Sequence, residues 1–267
     1  MIHMTATHGT SNESNSQSQG HGFRFENSTR ASIFDMSPEN NNTDKHDIPK
    51  EKNKYDKNEN CSIKTTGSTT ICCGDLGSYN DYNFDEKNTL IVIKYKQEGP
   101  YKILLCIYEI DYNVDCHKHL FGHLTKEDIE KYVEKVKSIP KNVGGEEAKN
   151  IFDYLGEKKK LEKKYALKIQ INPKVDSSQS RVQCSIPNFE ETLKDYITYK
   201  SSLDAPNRVR GKYIIPSIIS PCRSRGGISC KKLKDMCRDN GIKKYSKLRK
   251  AQLINFLEEN NININKS

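Results

Sequence analysis

Seven residues crowded into eight positions near the end of the chain carry the clearest potential for chemistry: Lys243, Lys244, Tyr245, Ser246, Lys247, Arg249 and Lys250. Five are cationic, and a phenol and a hydroxyl stand among them. They fall in a connecting loop and in the first turn of a helix that begins near Ser246 to Arg249. A helix start attracts anions through its unpaired N–H groups and its dipole. Ser246 adds a hydroxyl for a phosphate, and Tyr245 a ring that can stack on a base. Cations at a helix start oppose that helix's dipole, so helix stability does not explain them, whereas phosphate binding does. The competing reading is a solvated helical hairpin with no ligand.

Other constellations are less complete. "DCHKHLFGH" sets Cys116, His117, His119 and His123 within eight positions, and His119 with His123 has a finger-like zinc spacing. No second ligand pair stands at a matching distance, so a polar turn is expected there and Cys116, His119 and His123 remain only metal candidates. Glu109, Asp111 and Asp115 lie in "YEIDYNVD", where carboxylates near a Lys would suit a metal-dependent nuclease. Acidic residues also end many ordinary strands. No P-loop, nucleophile elbow, HExxH or dinucleotide fingerprint is present. No catalytic residue is assigned and no cofactor is expected.

The elements that must position the basic cluster can be read directly. Ser229 can cap a helix, worth about 1 kcal/mol, with Ile228 and Leu233 placed as a hydrophobic staple. Cys230, Leu233, Met236 and Cys237 form its inner stripe, and Gly241 supplies a left-handed stop. In the second helix Ala251, Leu253, Ile254 and Leu257 face inward. A core this small is marginal. The stretch "LKDMCRDNGIKKYSKLRKAQLINFLEEN" resembles the Rho N-terminal-type module and the related SAP motif, through Leu233, Gly241-Ile242, Tyr245-Ser246, Leu248-Arg249-Lys250 and Leu253-Ile254. The resemblance covers residues 228–260 and implies a helix–extended loop–helix unit that binds nucleic acid.

Charge distribution agrees. From Arg208 to Ser267 there are 15 basic and 4 acidic side chains, leaving +11, while the other 29 basic and 31 acidic leave −2 over residues 1–207. Such segregation suits a polyanion-binding segment. With 34% hydrophobic residues, 30% charged and no Trp, the chain as a whole has limited apolar surface for a core. Residues 1–83, dominated by Asn, Ser, Thr, Gly, Asp and Lys, read as a disordered polar arm. Phe23, Phe25, Ile33, Phe34 and Met36 form one apolar island there, by chance or as a partner-docking motif.

Residues 84–203 read as a small central α+β domain. "TLIVIKY" and "YKILLCIYEI" flank a Gly99-Pro100 turn as a β-hairpin. Thr125 and Asp128 open a helix carrying Ile129, Tyr132, Val133 and Val136. A second helix with Ala148, Ile151, Phe152 and Leu155, a strand "YALKIQIN" and a helix through Phe189, Leu193, Tyr196 and Ile197 follow. Residues 204–227 read as a basic Pro/Gly-containing linker, and 261–267 as a tail.

Nine Cys, an odd number, and no hydrophobic h-region point to an intracellular, reducing compartment with free thiols, Cys72-Cys73 exposed and oxidisable. No run is long enough to span a bilayer, and no membrane partner is expected. Asn-, Lys- and Ile-heavy usage suits an AT-rich genome, such as that of a large DNA virus or a protist. That would place the chain in a nucleus, a viral factory or a virion. The expected function is a non-enzymatic nucleic-acid-binding or adaptor protein. It would hold DNA or RNA backbone through the C-terminal module and meet a protein through the central domain. The alternatives are a nuclease-like enzyme with its active site in 84–203, and a protein-docking hairpin.

Overall fold

The run Leu90-Ile91-Val92-Ile93 has no polar alternation, the signature of a strand covered on both faces. A computed structural model shows what covers it. It describes residues 17–37, 45–79, 82–98, 101–141, 143, 145–175, 180–219, 230–240, 245, 253 and 257. The chain divides into two units, Met1–Pro221 and Cys222–Ser267.

In the first unit the elements run α1 Gln17–Phe34, β1 Glu59–Thr66, β2 Ile71–Asp75, α2 Leu76–Tyr79, β3 Lys87–Glu98, β4 Tyr101–Asp111, α3 Val114–Phe121, α4 Lys126–Lys137, α5 Gly145–Ile151 and α6 Tyr154–Lys164. Then come β5 Gln170–Lys174, β6 Arg181–Ile186, α7 Phe189–Thr192, β7 Ile197–Lys200, β8 Arg208–Val209, β9 Lys212–Tyr213 and β10 Ile218–Ile219. The class is α+β, as the sequence indicates. β3 and β4 form the expected hairpin, with Thr89 opposite Asp111 and Ile91 opposite Glu109. β1 joins β3 in parallel, Glu59 beside Lys87 and Cys61 beside Thr89. The far edge of β4 takes β7 at one end and β10 at the other. β2, β6 and β5 make a separate antiparallel sheet.

The period-2 rule divides β3 between two cores. Leu90 and Val92, with Tyr108 and Ile110 of β4, pack with α3, α4 and the β2–β6–β5 sheet. Ile91 and Ile93, with Cys61, Ile63 and Ile107, pack instead with Phe25, Ile33 and Phe34 of the α1 segment and with Val209, Ile214 and Ile219. Each fully buried side chain of this size contributes roughly 1.5–3 kcal/mol, so neither cover is dispensable.

Two boundaries are thereby corrected. The arm read as disordered through residue 83 contains α1, β1 and β2, and Phe25, Ile33 and Phe34 of its apolar island are core residues of this same unit. The disguise is physical: α1 is buried at Phe25 and Ile33 but also at Ser28, Thr29 and Arg30, so its inner face is half polar. The hydroxyl of Thr29 donates to the Phe25 carbonyl at 2.8 Å, which satisfies it inside the helix. The linker read over 204–227 contains β8, β9 and β10, and Ile214 and Ile219 are buried in this unit.

Local rules account for most helices. Thr125 caps α4, its Oγ1 accepting from the Asp128 N–H at 3.2 Å, and Ile129, Tyr132, Val133 and Val136 are all buried. The stripe expected at Ala148, Ile151, Phe152 and Leu155 is broken, because Asp153 caps a new helix by accepting from the Gly156 N–H and resets the register. Ile151 and Leu155 are therefore 49% and 43% exposed. The strand read from "YALKIQIN" starts only at Gln170, and Pro173 lies within it, opposite Val182. The helix expected through Ile197 is one turn of α-helix and one of 3-10 helix, after which Ile197 opens β7.

Gly122 ends α3 at φ 58°, and an added Cβ would meet the Tyr165 carbonyl oxygen at 2.4 Å. Strain and backbone collision together should make Gly122→Ala cost about 2–4 kcal/mol. Denaturant unfolding measures it, and a cost below about 1 kcal/mol would contradict this close approach.

In the second unit α8 spans Cys230–Asp239. Leu233 and Cys237, one turn apart, are buried, as are the helical residues Leu253 and Leu257. Ile228, Ser229, Gly241 and Ile242, called for the staple, cap and stop, lie outside the described residues.

Candidate functional site

Of the seven residues assigned to nucleic-acid binding, only Tyr245 is described, and it is half-buried. Lys243, Lys244, Ser246, Lys247, Arg249 and Lys250 lie outside the described residues. What can be built from the residues upward is their scaffold. Of the inward positions that the sequence pattern assigns, Leu233, Cys237, Leu253 and Leu257 are buried and Met236 is half-buried, while the side chains of Cys230, Ala251 and Ile254 lie outside the described residues.

The first unit holds a cleft of about 460 Å³ lined by Tyr55, Asp56, Glu59, Lys87, Thr89, Glu109, Asp111, Thr198 and Arg210. Strand parity brings these residues together. Glu59 lies two residues before Cys61, Thr89 two before Ile91 and Glu109 two after Ile107, so all three face the core covered by α1. Arg210 reaches them from the two-residue turn Arg210-Gly211 between β8 and β9. Both turn residues have positive φ, 52° and 78°, as a type I′ hairpin requires.

The guanidinium of Arg210 donates to both carboxylate oxygens of Glu59, at 2.7 and 2.9 Å, and through Nε to Glu109 at 2.5 Å. It also lies over the rings of Phe34 and Tyr55, 5.4 Å from each centroid. Glu59 further accepts from Thr89 Oγ1 at 2.6 Å and Asn53 Nδ2 at 2.8 Å. The side chains of Glu59, Arg210 and Glu109 are only 2%, 11% and 14% exposed. Burial works against charge on Glu59, but the hydrogen bonds from Arg210 and Thr89 outweigh it and hold its carboxyl at about 2. Burial likewise opposes charge on Arg210, and its bonds to Glu59 raise it further above the usual range.

This arrangement is a clamp: one planar fork joins β1, β4 and the β8–β9 turn. The lining carries four carboxylates and two cations, and Arg210 is spent on Glu59 and Glu109, so the cleft offers little to a phosphate. It offers little more to a catalytic metal. Glu109 is held by Arg210, and Asp111 accepts from Asn113 Nδ2 at 2.8 Å. Asp115 sits in the first turn of α3 and is not in the cleft lining.

The metal candidates do not converge. "DCHKHLF" is helix α3 rather than a polar turn, capped by Asn113, which accepts from the N–H groups of Asp115 and Cys116. Cys116 faces the core, and burial, with Asp111 nearby, pushes its thiol up to about 12. His119 Nε2 meets the Thr192 carbonyl at 2.9 Å, while His117 pairs with the Tyr112 hydroxyl and stacks on Phe121. His123 is exposed. Among the described residues no group of three or more His, Cys, Asp or Glu stands together as a metal ion requires. Cys72 is exposed as expected, but Cys73 is buried.

The clamp residues Glu59, Thr89 and Arg210 were missed by sequence reasoning. The available signal was "RVRGKY", where Arg-Gly between short apolar-containing arms marks a tight hairpin. Among the described residues no helix is long and apolar enough to cross a membrane. Comparison with models of known families, with curated proteins and with solved structures finds no match to this chain.

Proposed function

We propose that the protein binds the backbone of DNA or RNA without catalysing a reaction on it, through Lys243, Lys244, Tyr245, Ser246, Lys247, Arg249 and Lys250 of the second unit. The first unit then serves as an adaptor that carries this module and meets a protein partner. The observation that carries the reading is the segregation of charge: +8 over Cys222–Ser267, from 12 basic and 4 acidic side chains, against +1 over Met1–Pro221. Further support comes from the burial of Leu233, Cys237, Leu253 and Leu257. With those positions inward, the intervening basic residues need not be buried, and phosphates are the partners that a cluster of cations at a helix start would select. Such contacts position a chain and carry no base information, so binding is salt-sensitive and weak in sequence preference.

The test is fluorescence anisotropy of the full chain with labelled duplex DNA, single-stranded DNA and RNA at several salt concentrations. Changing Lys243, Lys247, Arg249 and Lys250 together to Ala should flatten the log–log salt slope on duplex by roughly 3–4, at about 0.9 per lost phosphate contact. A slope identical to that of the unchanged protein would refute the reading.

A further inference from the structure

We infer that the outer face of α6 and the turn after it form a second contact for a nucleic-acid backbone, made by Lys159, Lys163 and Lys168 of the first unit. The inference rests on the reading of the second unit given above, and adds a surface in a different unit. From Lys158 to Lys168 the sequence holds six basic residues and one acidic one, leaving +5, while the rest of Met1–Pro221 sums to −4.

The structure divides these lysines into two groups. Lys158 pairs with Glu162 at 3.6 Å, Lys160 with Glu157 at 2.6 Å and Lys164 with Asp128 at 3.7 Å. Glu162 in turn accepts from the Ile171 N–H at 2.9 Å, so this carboxylate also fixes β5. Lys159, Lys163 and Lys168 are exposed and make no ion pair among the described residues.

Lys159 and Lys163 stand four apart on one helical row, on the order of 6 Å along the axis. Like charges at that spacing cost a helix a few tenths of a kcal/mol. The helix dipole compensates Lys163, in the last turn, but not Lys159.

Lys168 is brought back beside the helix end by a fixed turn. Ala166 takes φ 49°, its N–H donates to the Lys163 carbonyl and that of Leu167 to the Glu162 carbonyl, the two bonds of a Schellman cap. The Lys168 N–H then donates to the Leu120 carbonyl at 3.0 Å. A left-handed Ala is strained by about 1 kcal/mol or more, so this geometry is imposed rather than relaxed into.

Three exposed cations, two on one helical row and one on the turn that follows, match an extended polyanion better than a small anion. The exposed Leu155 is the one apolar residue on that row, too little to insert into a bilayer surface. A backbone contact on each unit makes the chain bivalent for one nucleic acid, and the second contact is strengthened by its tether to the first.

The experiment compares four full-length proteins: unchanged, K159A/K163A/K168A, the four-residue variant of the second unit, and the two combined. Anisotropy with labelled duplex DNA and RNA is read from about 50 to 200 mM salt. The α6 variant should flatten the slope by about 2.7 and weaken binding at least about tenfold, the combined variant losing more. Thermal melting checks that the exposed substitutions leave the fold intact, with K159Q/K163Q/K168Q as a second version. If the α6 variants bind as the unchanged protein does while the second-unit variant is weakened, this inference falls and that of the second unit stands. If only the α6 variants are weakened, the reverse holds. Loss of binding to phosphatidylserine vesicles with nucleic-acid affinity unchanged would also overturn it.

Discussion

Arg210→Ala is expected to lower the unfolding free energy by about 3–5 kcal/mol, because it leaves the buried carboxylate of Glu109 without its counter-charge and Glu59 with only the half-exposed Lys87, 3.2 Å away. The penalty comes from the orphaned charge rather than from the lost attraction. Replacing Arg210 and Glu59 together by apolar residues of similar volume should therefore recover only the part of the loss that comes from Glu59, because Glu109 stays buried without its partner. Arg210 also holds φ 52°. Arg210→Gly relieves that backbone strain while removing the same side chain, so it should be milder than Arg210→Ala by about 1 kcal/mol.

Acid acts on the same network. The folded carboxyl of Glu59 lies near 2, below its ordinary 4.5, so its contribution is complete above about pH 4.5 and disappears as pH falls towards 2. Denaturant titrations of the single and paired variants read all of this. A cost below about 1 kcal/mol for Arg210→Ala would mean that the clamp holds nothing.

The second expectation has the opposite sign. Glu26 on α1 is half-buried, and burial, followed by the nearby Asp47 carboxylate, raises its carboxyl from 4.5 to about 7, with Arg30 and Lys64 pulling the other way. A carboxyl raised in the folded state binds its proton more tightly there than in the unfolded chain. Its stabilising effect is complete below about pH 4.5 and is lost as pH rises to about 7. The loss should reach up to about 3 kcal/mol, reduced by whatever solvent reaches the pair. Glu26→Gln keeps the size and abolishes the charge, so the decline that Glu26 causes between about pH 4.5 and 7 should disappear, and the variant should exceed the unchanged protein at the upper end. Parallel pH profiles for the two proteins would discard the idea. Since α1 covers one face of the central sheet, the same experiment tests whether that cover loosens as pH rises to about 7.

The two windows do not overlap. Stability should rise from about pH 2 to 4.5 through Glu59 and decline from there to about 7 through Glu26.

What the sequence determined by itself is the set of features whose causes are local. The α4 cap at Thr125 and its four-residue buried stripe, the β3–β4 hairpin and the inward positions Leu233 and Cys237 of α8 depend on neighbours within about four residues or across one turn, and all follow from the text. So does the α+β class. The tertiary structure decided the rest. The uninterrupted apolar run Leu90–Ile93 announced that both faces of its strand need covers, but not which segments supply them. One cover is α1, whose inner face at Ser28, Thr29 and Arg30 looks polar until Thr29 and Arg30 reach the Phe25 and Asp47 carbonyls inside the fold. The clamp was equally illegible, because Glu59, Glu109 and Arg210 lie up to 151 positions apart and meet only through strand register and one hairpin turn. A side chain's local pattern reports whether it seeks water or a core. Only three-dimensional proximity settles which charge will answer which, since buried polar groups are stabilised by specific partners and not by composition.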